Sequence, residues 1–126
     1  MQDSDQLTRQ VIGLAMKVHS ALGPGLLESA YEACLVHELR KHELKHQSQV
    51  ELPINYDGVE IHAGYRLDIL VENQLIIELK AVSSITDVHR AQLLSYLKLS
   101  NIKVGLLINF HVPQLKQGIV RLVNNF

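Results

Sequence analysis

LDILVENQLIIELK, residues 67–80, decides how the rest of the chain is read. It resolves into two apolar strands, Tyr65 to Val71 and Leu75 to Lys80, around a turn at Glu72-Asn73-Gln74. Side chains alternate faces along a strand, so Ile76, Glu78 and Lys80 share one face and Leu75, Ile77 and Leu79 the other. With the turn centred on Asn73, antiparallel register sets Asp68 opposite Glu78, their Cβ atoms roughly 4.5–5.5 Å apart, and Arg66 opposite Lys80. Two carboxylates held face to face repel, and the pairing is worth making only if something cationic sits between them. A divalent ion bound through oxygens does that, and Lys80 adds a second positive group. A register slip of one residue would send the acids to opposite faces, so the inference hangs on the turn. Glu-x-Lys is also common on solvated strands. Here the apolar neighbours Leu67, Ile69, Leu70, Leu75, Ile76 and Ile77 argue for burial, where an unpaired charge is costly.

Working outward, Leu7, Val11, Leu14, Ala15, Val18 and Leu22 recur at spacings of three and four, which predicts an amphipathic helix from Asp5 to Leu22. Asp3, Ser4 or Asp5 is available to cap it, and Gly23-Pro24-Gly25 ends it. A second helix is expected from about Leu26 to His42, with Glu28, Tyr31, Glu32 and Leu35 on one face. Strand character begins near Gln49 and runs to a hairpin turn at Asp57-Gly58, with Pro53 placing that strand at an edge or interrupting it. Gly64 suits a bulge before Tyr65. Beyond the opening stretch, a helix is expected from Thr86 to Leu99, and KVGLLINF, residues 103–110, has the continuous apolar run of a central strand. The tail admits a short helix after Val112-Pro113 or an edge strand from Gly118 to Val123. This order of elements implies an α/β or α+β sandwich in one domain, residues 1–126.

The net charge of −1 speaks against binding a polyanion by electrostatics alone, and with no Trp and two Phe there is little to stack bases on. A single cysteine, Cys34, excludes an intramolecular disulfide and points to a reducing, cytoplasmic setting. No run is long enough to span a membrane, and MQDSDQLTRQ lacks the layout of a signal peptide. Cys34 itself reads as a structural thiol.

Asp68 followed by Glu78-Leu79-Lys80 resembles the PD-(D/E)XK nuclease signature, with Leu67 in place of its proline, a departure that many branches of the superfamily tolerate. GLLESAY, residues 25–31, matches the pattern that names the GxxExxY protein family, a branch of that superfamily. The likeness continues through VHSALGPGLLESAYE, GYRLDILVE, IIELKAV, AQLLSYLKL and KVGLLINF, nearly the whole chain. The resemblance implies a restriction-endonuclease-like core, a mixed central sheet flanked by helices. It implies that Asp68 and Glu78 bind Mg²⁺ or Mn²⁺ with the Leu79 carbonyl, and that Glu28 completes the acidic cluster directly or through water. Lys80 would orient or activate the attacking water, Gln92 would position water or substrate, and Tyr96 lies one turn on. Tyr31, Arg66 and His89 are candidates for support or phosphate contact, with packing and solvated faces as their plainer readings. The implied activity is metal-dependent hydrolysis of phosphodiester bonds in nucleic acid, DNA before RNA. The rival is a catalytically silent module of the same fold that binds protein or nucleic-acid partners. So small a domain covers few base pairs, which leaves room for a homodimer.

HELKH, residues 42–46, matches the zinc-protease pattern HExxH. Its flanks Arg40, Lys41 and Gln47 are polar, and a strand starts only a few residues later, so adventitious zinc or nickel binding is the better reading. His19, His37, His62 and His111 show no ligand spacing.

Overall fold

The computed structural model describes residues 3–124. Helix α1, Ser4–Leu22, starts at Asp3, whose carboxylate accepts the Gln6 N–H at 2.8 Å, and stops at Gly23 with φ +75°. Leu7, Val11, Leu14, Ala15 and Val18 are buried as their spacing requires, while Leu22 lies beyond the core and is exposed. Helix α2, Glu28–Lys41, begins two residues later than its pattern suggested. The reason is Tyr31: its hydroxyl accepts the Leu26 N–H at 3.0 Å and donates to the Gly23 carbonyl at 2.5 Å. The turn is thereby pinned outside the helix.

Strand β1, His46–Glu51, opens earlier than Gln49, and the chain then breaks at Leu52-Pro53. Proline has no N–H to continue a ladder. β2, Ile54–Tyr56, and β3, Val59–Ile61, form a separate hairpin about Asp57 and Gly58, both at positive φ. β4, Arg66–Val71, and β5, Leu75–Lys80, follow with left-handed residues Glu72 and Asn73 between them. Helix α3, Asp87–Ser100, carries the chain to β6, Val104–Asn109, which is buried at every residue. The tail holds both of the expected alternatives: a 3₁₀ turn at Leu115–Gly118, then edge strand β7, Ile119–Val123.

The main sheet runs β1-β4-β5-β6-β7, with β5 and β6 parallel and the other neighbours antiparallel. A parallel pair needs a crossover, and α3 is that crossover. One face of the sheet packs Ile69, Val71, Ile77 and Leu79 against α1 and α2; the other packs Leu67, Ile76 and Leu107 against Leu93, Tyr96 and Leu97 of α3. Gly105 sets the depth of α3, since a Cβ there would meet Leu93 Cδ1 at 2.9 Å. The result is a mixed α/β fold of five strands between helical layers, the architecture that the resemblance implied.

Candidate active site

The β4–β5 ladder pairs Val71 with Leu75, Leu70 with Ile76 and Ile69 with Ile77, the register centred on Asn73. It stops there. At the next level the Asp68 N–H donates to Glu78 Oε2 at 2.8 Å, and the Leu79 N–H donates to Asp68 Oδ2 at 2.8 Å. Each carboxylate accepts a hydrogen bond from a backbone N–H of the opposite strand where the regular ladder has ended. Face alternation along β4 changes phase at this point too: Leu67 packs with the α3 layer, while Ile69 and Val71 pack with α1 and α2. The expected pairing of Arg66 with Lys80 is therefore absent from the register; Arg66 pairs with Glu51 of β1, and its guanidinium donates to the Gln49 carbonyl at 3.3 Å.

Glu78 is 4% exposed, and burial, reinforced by the charge of Asp68, pushes its carboxyl up to about 8. The hydrogen bond from Asp68 and the charge of Lys80 oppose that rise without cancelling it. Lys80 is half-buried and, among the described residues, enters no ion pair. Its backbone is fixed by the Phe110 N–H, which donates to the Lys80 carbonyl at 2.9 Å. The buried Asn109, paired with Lys80 on β6, donates to the Val82 carbonyl at 2.9 Å and accepts the Val82 and His111 N–H groups, so the loop leaving β5 is tied down.

From α3, Gln92 Nε2 donates to Tyr96 Oη at 3.0 Å, and Tyr96 meets Tyr65 edge-on at 6.1 Å. Burial, then the charges of Glu78, Tyr65 and Asp68, raise the Tyr96 hydroxyl, which brings this helix face within the field of the acid pair. From α2, Glu28 is exposed, whereas Glu32 one turn on is half-buried. Burial and then the charge of Asp68 raise the Glu32 carboxyl, with Glu28 adding to the rise and a hydrogen bond from Gln49 opposing it. Glu32 was visible in sequence only as a member of the face shared with Glu28, Tyr31 and Leu35; nothing in its spacing relative to Asp68 could have flagged it.

The remaining candidates lie elsewhere. Tyr31 is fully buried and stacks on Phe110 at 4.2 Å, its hydroxyl spent on the Gly23–Leu26 turn. His89 completes a capping box: its Nδ1 accepts the Thr86 N–H at 3.0 Å, and Thr86 Oγ1 accepts the His89 N–H at 3.3 Å. The HExxH residues share no helix, because α2 ends at Lys41, Glu43 is left-handed and His46 opens β1.

Among the described residues no group of three or more His, Cys, Asp or Glu stands close enough to hold a metal ion. The two carboxylates nevertheless fit a hard cation. Magnesium keeps several of its waters and is commonly held by one or two carboxylates, so a third acid within direct reach is not required. A buried Glu78 raised by its neighbour's negative charge is the electrostatic condition such a cation relieves.

No helix among the described residues is long and apolar enough to cross a membrane. Comparison with curated proteins and with solved structures returns no match. A family model for the PD-(D/E)XK nuclease superfamily does match, over residues 5–122. That span takes in the α2 turn, the acid pair, Lys80 and the α3 face, and the chain belongs to the PD-(D/E)XK nuclease superfamily.

Proposed function

We propose that this chain is a single-domain, metal-dependent nuclease of the GxxExxY branch, hydrolysing phosphodiester bonds of nucleic acid, with DNA as the first substrate to test. The observation that carries the reading is the crossed bonding over the opened β4–β5 ladder, Glu78 accepting the Asp68 N–H and Asp68 accepting the Leu79 N–H, with Lys80 two residues beyond Glu78. The branch rests on Gly25, Glu28 and Tyr31.

Asp68 and Glu78 would hold Mg²⁺ or Mn²⁺ together with the Leu79 carbonyl. When bound, the ion supplies Lewis acidity toward the phosphodiester and makes water a better nucleophile at neutral pH. Lys80, unpaired among the described acids, offers its ammonium to the negative charge that builds on the phosphate oxygens. Gln92, held through Nε2 against Tyr96, orients substrate or water with its amide oxygen. A net charge of −1 leaves the chain dependent on that cation to approach a polyanion.

The deciding experiment offers labelled single-stranded, duplex and branched DNA, and RNA, to the purified protein with Mg²⁺, Mn²⁺ or EDTA. Asp68→Ala and Lys80→Ala serve as controls, and size-exclusion chromatography with light scattering reads whether the active species is a homodimer. Cleavage that needs the metal and disappears in both variants establishes the nuclease. Absence of cleavage on every substrate, together with absence of Mn²⁺ binding, replaces it with the silent binding module.

A further inference from the structure

Glu32 accepts a 2.9 Å hydrogen bond at Oε1 from Gln49 Nε2. Gln49 sits on β1 between the pairs Ser48 with Ile69 and Val50 with Leu67, level with Asp68. Its backbone is left-handed, φ +53°, in the middle of a strand. A residue other than glycine keeps that conformation only where its surroundings hold it. Here Arg66 holds the Gln49 carbonyl and Glu32 holds its side chain. Asp68 thus has Glu78 on its β5 side and the Gln49–Glu32 pair on its β1 side.

We propose that Glu32, oriented by Gln49, is the carboxylate that α2 contributes to the cation site, and that the exposed Glu28 is not. The inference rests on the nuclease reading above. Direct ligation is not what the arrangement supports, because no three-acid group among the described residues is tight enough for it. Glu32 acts through the waters that a hard cation retains, as outer-shell carboxylates do. The electrostatics run the same way: burial and then the charge of Asp68 raise the Glu32 carboxyl. The competing account gives Glu32 no task beyond accepting the Gln49 hydrogen bond.

Glu32→Gln separates the two accounts, since a glutamine oxygen still accepts from Gln49 while the charge is gone. Mn²⁺ would be titrated calorimetrically into the full chain and into Glu32→Gln, Glu28→Gln, Gln49→Leu and Asp68→Ala, each first shown to melt cooperatively. The expected result is binding roughly tenfold weaker in Glu32→Gln, the size found for outer-shell partners of metal ligands, with little change in Glu28→Gln and an intermediate loss in Gln49→Leu. Unchanged affinity in Glu32→Gln while Asp68→Ala loses binding overturns this inference alone. A larger loss in Glu28→Gln than in Glu32→Gln overturns it as well. Should Glu32→Gln fail to fold, Gln49→Leu decides, and wild-type affinity there counts against the proposal. If the wild type takes up no Mn²⁺, the nuclease reading and the role of Glu32 fall together.

Discussion

Two glutamates among the described residues are buried, Glu38 between α1 and α2 and Glu78 in the sheet, and the fold answers their charges in opposite ways. Lys17 Nζ lies 2.5 Å from Glu38 Oε1 as an ion pair and donates to Oε2 at 3.3 Å, and this hydrogen bonding holds the Glu38 carboxyl below its ordinary 4.5 despite desolvation. Among the described residues Glu78 Oε2 accepts only the Asp68 backbone N–H, and burial, reinforced by the charge of the Asp68 carboxylate, drives it up to about 8. One site is finished within the chain. The other holds two acids with no cationic partner in direct contact among the described residues, so Glu78 keeps a proton that a bound cation would displace, the pattern of a functional site rather than a structural pair.

The widest separation between the two glutamates should appear in catalysis. Glu78→Gln keeps the size of the side chain and removes the charge that would hold the cation. Cleavage in Mg²⁺ should then fall by roughly 10²–10³-fold, comparable to losing one preorganised electrostatic contact. Retained cleavage at pH 8 would break the contrast between the sites.

Stability should move the other way. Glu78 has a folded value near 8 against an ordinary 4.5, so the folded state holds a proton that the unfolded state has already released. The penalty for ionising it begins above the unfolded value and is complete above the folded one. In EDTA the wild type should therefore lose stability between pH 5 and pH 9, where each pKa unit is worth about 1.4 kcal/mol. Glu78→Gln should melt several degrees above wild type at pH 9 and close to it at pH 5; parallel melting curves across that range would contradict the assignment.

Lys17→Met gives the mirror experiment with a smaller effect. Glu38 has a depressed folded value, so its contribution is present above its ordinary 4.5 and is lost as pH falls through the folded value. The variant should melt a few degrees below wild type at pH 7, and the gap should close in acid. Smallest of all is the change at Glu43, an exposed glutamate in the HExxH segment. Glu43→Ala should leave cleavage intact and shift stability by no more than about 0.5 kcal/mol, as surface substitutions do. A loss of hydrolytic activity there would reopen the zinc-hydrolase reading.

Much of this was legible in residues 65–80 alone. The turn residues placed the register as far as Ile69 opposite Ile77; beyond it the ladder ends, and Asp68 meets Glu78 through a backbone-to-carboxylate hydrogen bond rather than as a register pair. The bounds of β5 followed the apolar run to the residue, and α3 lay within one residue of its expected span. Misplaced boundaries trace to contacts from outside the segment. Tyr31 binds the Leu26 amide and delays α2, and β1 begins at His46 because it pairs with Val71 of a strand twenty-five residues on. His89 looked like a free basic residue because a capping box is settled by the backbone it closes on, not by the residue type.

What the sequence by itself determined is which faces are apolar, where the turns fall and which acids sit on which strand. Those properties follow from the two- and 3.6-residue periods and from local turn chemistry, all short-range. Only the tertiary structure decided that β4 changes phase at Asp68, that Gln49 is bent at the same level, and that Glu32 rather than Glu28 is turned inward. These depend on how β1, β4, β5 and α2 meet. Such long-range packing places groups distant in sequence side by side, and no spacing within a single segment encodes it.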